Sequence, residues 1–263
     1  MTVESAALVI EAQNNERASR ITPEEIAFYR ENGFVKVRSI ISQEEAMEFR
    51  ERALQLQEER LSYSNSAIFT QLVNVWRDDE VMRRLTLHAN IAACAARLAG
   101  VDLRLWHDQL LIKKPHNAMA TEFHQDQPYW PHLNSPNPIS CWLALGDVPV
   151  ERGCMTFLPR THERTDLEAQ NLTDSHSLFG LAPDLQWSER ITLPLQAGDC
   201  TFHHGRCAHM ATPNTTDEDR VAHVAIFFDQ SATYSGRPHV VTNDLGLNQG
   251  GPFEHEVFPA VRA

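Results

Sequence analysis

The chain has 263 residues, 42% hydrophobic and 22% charged, which is ordinary globular composition with enough length for one extended domain around a large core. A formal net charge of −12 speaks against a general nucleic-acid or anionic-membrane surface, since both need clustered Lys and Arg. Five cysteines without paired spacing or a CxxC exclude a disulfide framework and a zinc ribbon, and read as small buried hydrophobes.

Residues 1–21 lack a basic stretch followed by a long apolar core, so they do not read as a secretory signal. They are expected to be a flexible lead-in, and no apolar run approaches membrane-spanning length. A cytoplasmic protein is expected. Thr22-Pro23-Glu24-Glu25 forms a capping box with Pro at the first helical position, and predicts a helix to about Asn32 that stops at Gly33. Phe34 to Arg38 alternates apolar and basic, as a half-buried strand does. Ser42-Gln43-Glu44-Glu45 is a second capping box, opening a helix through about Arg60. A further helix is predicted over roughly Asp78 to Leu98.

The texture changes at Val101. Strands are predicted at Leu103–Lys113, Ile139–Val148, Met155–Leu158, Ile191–Leu195, Cys200–His204 and Arg220–Phe228. Short β segments parted by Gly, Pro, Asn and Asp turns suggest a sandwich or barrel. Helices first and strands after give an α+β class, with the helices packed on one side of a β core. The long polar stretch from Leu167 to Arg190 is a candidate lid loop.

Chemistry concentrates around His124-Gln125-Asp126. A His and a carboxylate at i and i+2, joined by a distant His, form the two-His-one-carboxylate set of non-haem Fe(II) oxygenases. With 13 His and 35 acidic residues, about one or two such triplets arise by chance, so the surroundings must carry the argument. If Phe123 to Gln127 is extended, His124 and Asp126 point to one face and Gln125 away. His203, His204 and His209 are all candidates for the third ligand. Arg220 opens an apolar strand and there needs an anionic partner: either the carboxylate of a ligand or nearby Asp217 or Asp219.

Together these segments resemble the phytanoyl-CoA dioxygenase family of Fe(II)/2-oxoglutarate oxygenases. The resemblance runs from the Thr22 to Val35 opening through Phe123-His124-Gln125-Asp126 and Arg152-Gly153-Cys154-Met155-Thr156-Phe157-Leu158-Pro159. It continues through Thr161-His162, Gly198-Asp199, Phe202-His203, His209, Asn214 and Arg220, and covers roughly residues 22 to 229. The family spaces its last His ligand six residues after the Phe-His histidine and its 2-oxoglutarate Arg eleven after that ligand, and both spacings hold here.

This likeness implies a double-stranded β-helix (jelly-roll, cupin-like) core with the N-terminal helices packed on one sheet. It implies His124, Asp126 and His209 as iron ligands, with Arg220 on the far carboxylate of 2-oxoglutarate. Trp142 and Gln109 match family positions beside the co-substrate, and His162 a structural one. Arg160 stands where the family has a turn Gly, and Ala211 where it often has a co-substrate Ser. The carboxylate of Asp126 argues against halogenation, since related halogenases leave that position small. A hydroxylase is implied, using O₂ and releasing succinate and CO₂. Desaturation, ring closure or epoxidation are alternatives, and a non-catalytic ligand-binding member of the fold is a competing reading.

The substrate is expected to be a small natural-product or amino-acid-like molecule. Gln127, Tyr129 and Trp130 follow the metal pair, and Phe69 and Gln71 lie on a segment within reach, all as candidate substrate contacts. His132, just after the metal pair, and Trp76, on the same segment as Phe69 and Gln71, are further candidates.

Overall fold

The computed structural model describes residues 9–11, 21–60 and 69–262. Of the expected flexible lead-in, only Val9–Glu11 (β1) and Ile21 fall among them. β1 is a strand that pairs in parallel with Ala260–Arg262 (β14); the rest of residues 1–20 lie outside the described residues. The first helix, Pro23–Asn32 (α1), carries the expected reciprocal Thr22–Glu25 capping box and ends on Gly33 at φ 82°. Phe34–Val37 (β2) follows, then Gln43–Glu59 (α2) with its Ser42–Glu45 box. Thr70–Val73 (β3) is a strand the sequence pattern does not announce.

The helix expected over Asp78 to Leu98 is two helices, Glu80–Thr86 (α3) and Ala89–Ala99 (α4). The side chains of Asp79 and His88 cap them, and the His88 cap supplies the break. The remaining elements are Leu103–Lys113 (β4), Thr121–His124 (β5), His132–Leu133 (β6), Ile139–Ala144 (β7), Met155–Phe157 (β8), Ser177–Leu181 (α5), Ile191–Leu193 (β9), Cys200–His204 (β10), His209–Ala211 (β11), Arg220–Asp229 (β12) and Thr233–Tyr234 (β13). β7 stops four residues short of the expected Val148.

Eight strands form the main sheet, in the order β1-β14-β4-β12-β7-β10-β2, with β3 also paired to β4. A smaller sheet runs β5-β11-β8-β9. On β12 the period of two sorts the residues. Val221, Ala225 and Phe227 join the core beneath the helices, and Ala222, Val224, Ile226 and Phe228 join the core between the sheets. Phe49, Ala53 and Leu56 of α2 and nearly all of α4 close the outer core. This is the expected α+β jelly roll, helices on one sheet and a cavity between the two. Among the described residues, no helix is long and apolar enough to cross a membrane.

One irregularity shapes the cavity. The β4–β12 ladder slips between Ile226, opposite His107, and Phe227, opposite Leu105, leaving Trp106 as an extra residue. A bulge of this kind flips the phase of the strand. Leu105 faces the helices, yet Trp106 and His107 both turn inward.

Candidate active site

β5 and β11 lie antiparallel with His124 directly opposite His209. Asp126 reaches them by a turn, which corrects the expectation of an extended Phe123 to Gln127. β5 ends at His124, and Asp126 has φ −75° and ψ −45°, at the head of a 3-10 turn over Gln127–Tyr129. Buried Gln125 anchors this corner. Its amide Nε2 donates to the carbonyls of Thr161, Arg164 and Arg206, and its backbone N–H donates to Gln170 Oε1 at 2.6 Å. The middle residue of the triplet thus points away from the cavity and fixes where Asp126 sits.

His124 Nε2 and His209 Nε2 stand 3.4 and 3.8 Å from Asp126 Oδ1. One ligand atom from each of the three residues falls within 4.8 Å of the others. Both imidazoles donate through Nδ1 to carbonyls, His124 to Glu122 at 2.7 Å and His209 to Cys207 at 2.9 Å. That fixes the tautomers and leaves the Nε2 lone pairs toward the carboxylate. Lone pairs and a carboxylate repel unless a cation lies between them, so the donor set fits a metal ion. Burial and neighbouring His124 push His209 down to about 3, keeping it in the neutral form that ligates.

His203 and His204, the other candidates for third ligand, separate here. His203 is buried on the main sheet with Nε2 3.6 Å from Asp126 Oδ2, and neither ring nitrogen has a hydrogen-bond partner. His204 turns away, one nitrogen against the Pro136 carbonyl and the other accepting from the Arg206 N–H.

Arg220 is 2% exposed, its guanidinium 5.2 Å from the Trp142 ring centre, with Nε unpaired. The sequence alternatives for its partner are both engaged elsewhere: Asp217 with His116 at 2.8 Å and Asp219 with Lys114 at 3.3 Å. Burial pushes the guanidinium down to about 10, so it stays cationic at neutral pH. Lys113, opposite Arg220 in register, spends its Nζ on the carbonyls of Met119, Ala211 and Thr212. Among the described residues Arg220 is therefore a buried cation without an anion, which costs on the order of several kcal/mol unless a ligand supplies one.

A cavity of about 330 Å³ joins these groups. Trp142 and Gln109 line it, as do Phe69, Gln71, Tyr129 and Trp130 among the expected substrate contacts. Gln127 does not. Its Nε2 donates to the Ser135 carbonyl and its N–H to that of Gly205, because the 3-10 turn rotates it out. Trp76 and His132 are also buried elsewhere, His132 stacked on Phe228. Residues 167–190 carry α5 and a 3-10 turn, and meet the cavity at Leu172. Their Gln170 and Leu172 carbonyls brace Tyr129 and β5. Sequence reasoning missed His107 and His239 in the lining. Only the β4 bulge turns His107 inward, and His239 lies beyond the recognisable stretch, so no local signal marked either.

The non-heme alpha-ketoglutarate-dependent carbocyclase SnoK from nogalamycin biosynthesis superposes on the chain with a TM-score of 0.83 at 34% identity, over 93% of this chain and 98% of that one. The epimerase SnoN, solved with Fe3+, alpha ketoglutarate and nogalamycin RO, gives 0.75 at 32% identity, over 90% and 97%. The peroxisomal phytanoyl-CoA dioxygenase of Mus musculus is 24% identical over 225 residues, 77% of this chain and 67% of that protein. A jelly roll with a His-Asp-His cluster inside it defines an iron- and 2-oxoglutarate-dependent oxygenase. The Phytanoyl-CoA dioxygenase (PhyH) profile matches residues 29–222, and the chain belongs to that family.

Proposed function

We propose that the chain oxidises a carbon of a small organic metabolite, most simply by hydroxylation. R–H, O₂ and 2-oxoglutarate become R–OH, succinate and CO₂. His124, Asp126 and His209 hold Fe(II), Arg220 pairs with the far carboxylate of 2-oxoglutarate, and Trp142 and Gln109 flank it. Bound iron supplies O₂ activation coupled to loss of CO₂ from the co-substrate. The protein orients the reactants: Tyr129, Trp130, Phe69 and Gln71 offer the substrate an apolar wall with polar edges. The apolar walls of the cavity limit water at the reacting carbon. Five buried free thiols suit a cytoplasmic setting.

One observation carries this reading: the buried, uncompensated Arg220 cation shares a cavity with the His-Asp-His cluster. The likeness to a carbocyclase and an epimerase favours a second reading, in which the substrate carbon loses hydrogen but gains no oxygen.

The test uses oxygen-free protein with Fe(II) and 2-oxoglutarate. The weak visible metal-to-ligand charge-transfer band is expected in wild type and absent in His124→Ala. Bound iron without that band would sink the co-substrate assignment. Product analysis with a turned-over substrate then separates hydroxylation from ring closure or epimerisation.

A further inference from the structure

The main sheet lays out the cavity floor. Across the strands, His203, Ser140, Ile226 and His107 stand in one row on β10, β7, β12 and β4. Three strand spacings put the backbone of His107 roughly 14 Å from that of His203 along the sheet, to one side of the metal cluster that His203 abuts, with Asp126 still acting electrostatically on the His107 ring. Along β12, Arg220 is six residues from Ile226, which is roughly 20 Å. The co-substrate direction, from the cluster toward Arg220, therefore runs along the strands. The remaining space lies sideways, toward β4 and β3, where His107, Gln109 and Gln71 face inward and His239 closes the edge.

The polar atoms at this end are specific. His107 Nδ1 is 3.1 Å from the Asp108 carbonyl, so Nδ1 carries the hydrogen and Nε2 is an acceptor. His239 Nδ1 accepts from the Val241 N–H at 3.2 Å, so in the neutral ring Nε2 carries the hydrogen. The rings are 6.2 Å apart. Burial pushes both imidazoles down to about 4, so both are neutral at physiological pH. Among the described residues neither Nε2 has a hydrogen-bond partner, and both rings line the cavity. The Gln71 and Gln109 amides add donors and acceptors without charge. Tyr129 adds only its ring, because its hydroxyl donates to the Gln170 carbonyl. Arg237 lies close enough to His239 to disfavour its protonation, but it is not in the lining and its Nη2 donates to the Trp130 carbonyl at 2.7 Å; the charged groups of the lining are Asp126 and Arg220.

We propose that His107 and His239 are specificity-determining residues, an acceptor and a donor that together bind a hydroxyl of an uncharged substrate with a flat apolar body. This rests on the co-substrate assignment above and narrows the substrate to a molecule that is neutral where it meets His107 and His239. A carboxylate here meets the His107 lone pair with no cation of the lining facing it, since Arg237 lies outside the lining with a hydrogen bond to the Trp130 carbonyl, and an ammonium meets the His239 N–H. A hydroxyl gives one hydrogen and accepts another, so it satisfies both rings.

Oxygen-free protein loaded with Fe(II) and 2-oxoglutarate is titrated with 2-naphthol, naphthalene and 2-naphthoate, read by calorimetry and by perturbation of the visible band. 2-Naphthol is expected to bind at least tenfold more tightly than either of the others. His107→Phe and His239→Phe should each cut that preference by about threefold to tenfold while keeping the band itself. Loss of the band in wild type would instead be a failure of the co-substrate reading. Equal or tighter binding of 2-naphthoate, or no binding of 2-naphthol, overturns the proposal. Nitrogen-15 NMR of the metal-free wild type tests it without any variant. His107 should be the Nδ1–H tautomer and His239 the Nε2–H tautomer, and a shared tautomer would overturn the pairing.

Discussion

The Arg220 guanidinium lies 5.2 Å from the centre of the Trp142 ring, and among the described residues no carboxylate forms an ion pair with it. The indole face partly offsets the buried charge, but the planar fork still lacks the bidentate partner it suits. Arg220→Ala should weaken 2-oxoglutarate binding by about 2–5 kcal/mol, some thirtyfold or more, with iron binding retained. Arg220→Lys should recover only part of that, because a point charge replaces a fork. Anaerobic titration of the visible band measures both. Unchanged affinity in Arg220→Ala would remove Arg220 from the co-substrate site.

Acid should destabilise the metal-free protein well before its carboxylates titrate. Histidine in an unfolded chain titrates near 6.5, while burial pushes His107 and His204 down to about 4 and His209 to about 3. Between these values the unfolded chain binds more protons than the native one. Stability is therefore fully present above pH 6.5 and lost as pH falls through 5 toward 4. These three groups alone contribute up to about 4 kcal/mol per pH unit, and His239, also pushed down to about 4, and buried His132 steepen the slope further. Urea unfolding at pH 7 and pH 5 should show the drop, and His204→Gln should lower the slope by about one proton. A flat profile would contradict it.

Gly33 should not tolerate a side chain. Its φ is 82°, and a Cβ there would sit 2.6 Å from His162 Nδ1. The left-handed backbone alone costs an alanine about 1–2 kcal/mol, and the clash adds to that. Gly33→Ala should lower the melting temperature, and His162→Ala in the same chain should recover the clash but not the backbone part. His162 Nε2 lies 3.1 Å from the Arg30 carbonyl, which holds the ring against Gly33.

Thr86 holds a sealed polar network beneath the helices. Its hydroxyl lies 3.0 Å from Asp108 Oδ2 and 2.9 Å from His223 Nε2, and all three residues are fully buried. Thr86→Val keeps the shape but takes the hydrogen bond from His223 Nε2 and leaves Asp108 Oδ2 with the Trp76 N–H alone, a loss of about 1–3 kcal/mol. Chemical denaturation checks it, and a neutral result would mean the two groups find each other directly from their present 3.7 Å.

Much of this protein is legible in the sequence, because local rules write it there. The capping boxes at Thr22 and Ser42, the stop at Gly33 and the strands β4, β10 and β12 all follow from short-range geometry and period. The oxygenase class is what the resemblance to the phytanoyl-CoA dioxygenase family implies, carried by the spacing from His203 through His209 to Arg220 together with the triplet. Arg160, standing where a turn Gly was expected, does adopt φ 66°.

The cavity required tertiary structure. The pattern around His124 and Asp126 suggested a strand, but Gln125 finds its carbonyl partners on Thr161, Arg164 and Arg206, far along the chain, and those bonds bend the corner into a turn. The same turn removed Gln127 from the lining. His107 reads as a helix-facing residue by alternation from Leu105. Only the bulge at Trp106, a property of pairing with β12, turns it toward the cavity. Sequence by itself determined which ligand types are present and the order in which they come, since those depend on residue identity and spacing. Which side chains share a volume depends on hydrogen bonds and strand registers between distant segments, and these exist only once the sheets have formed.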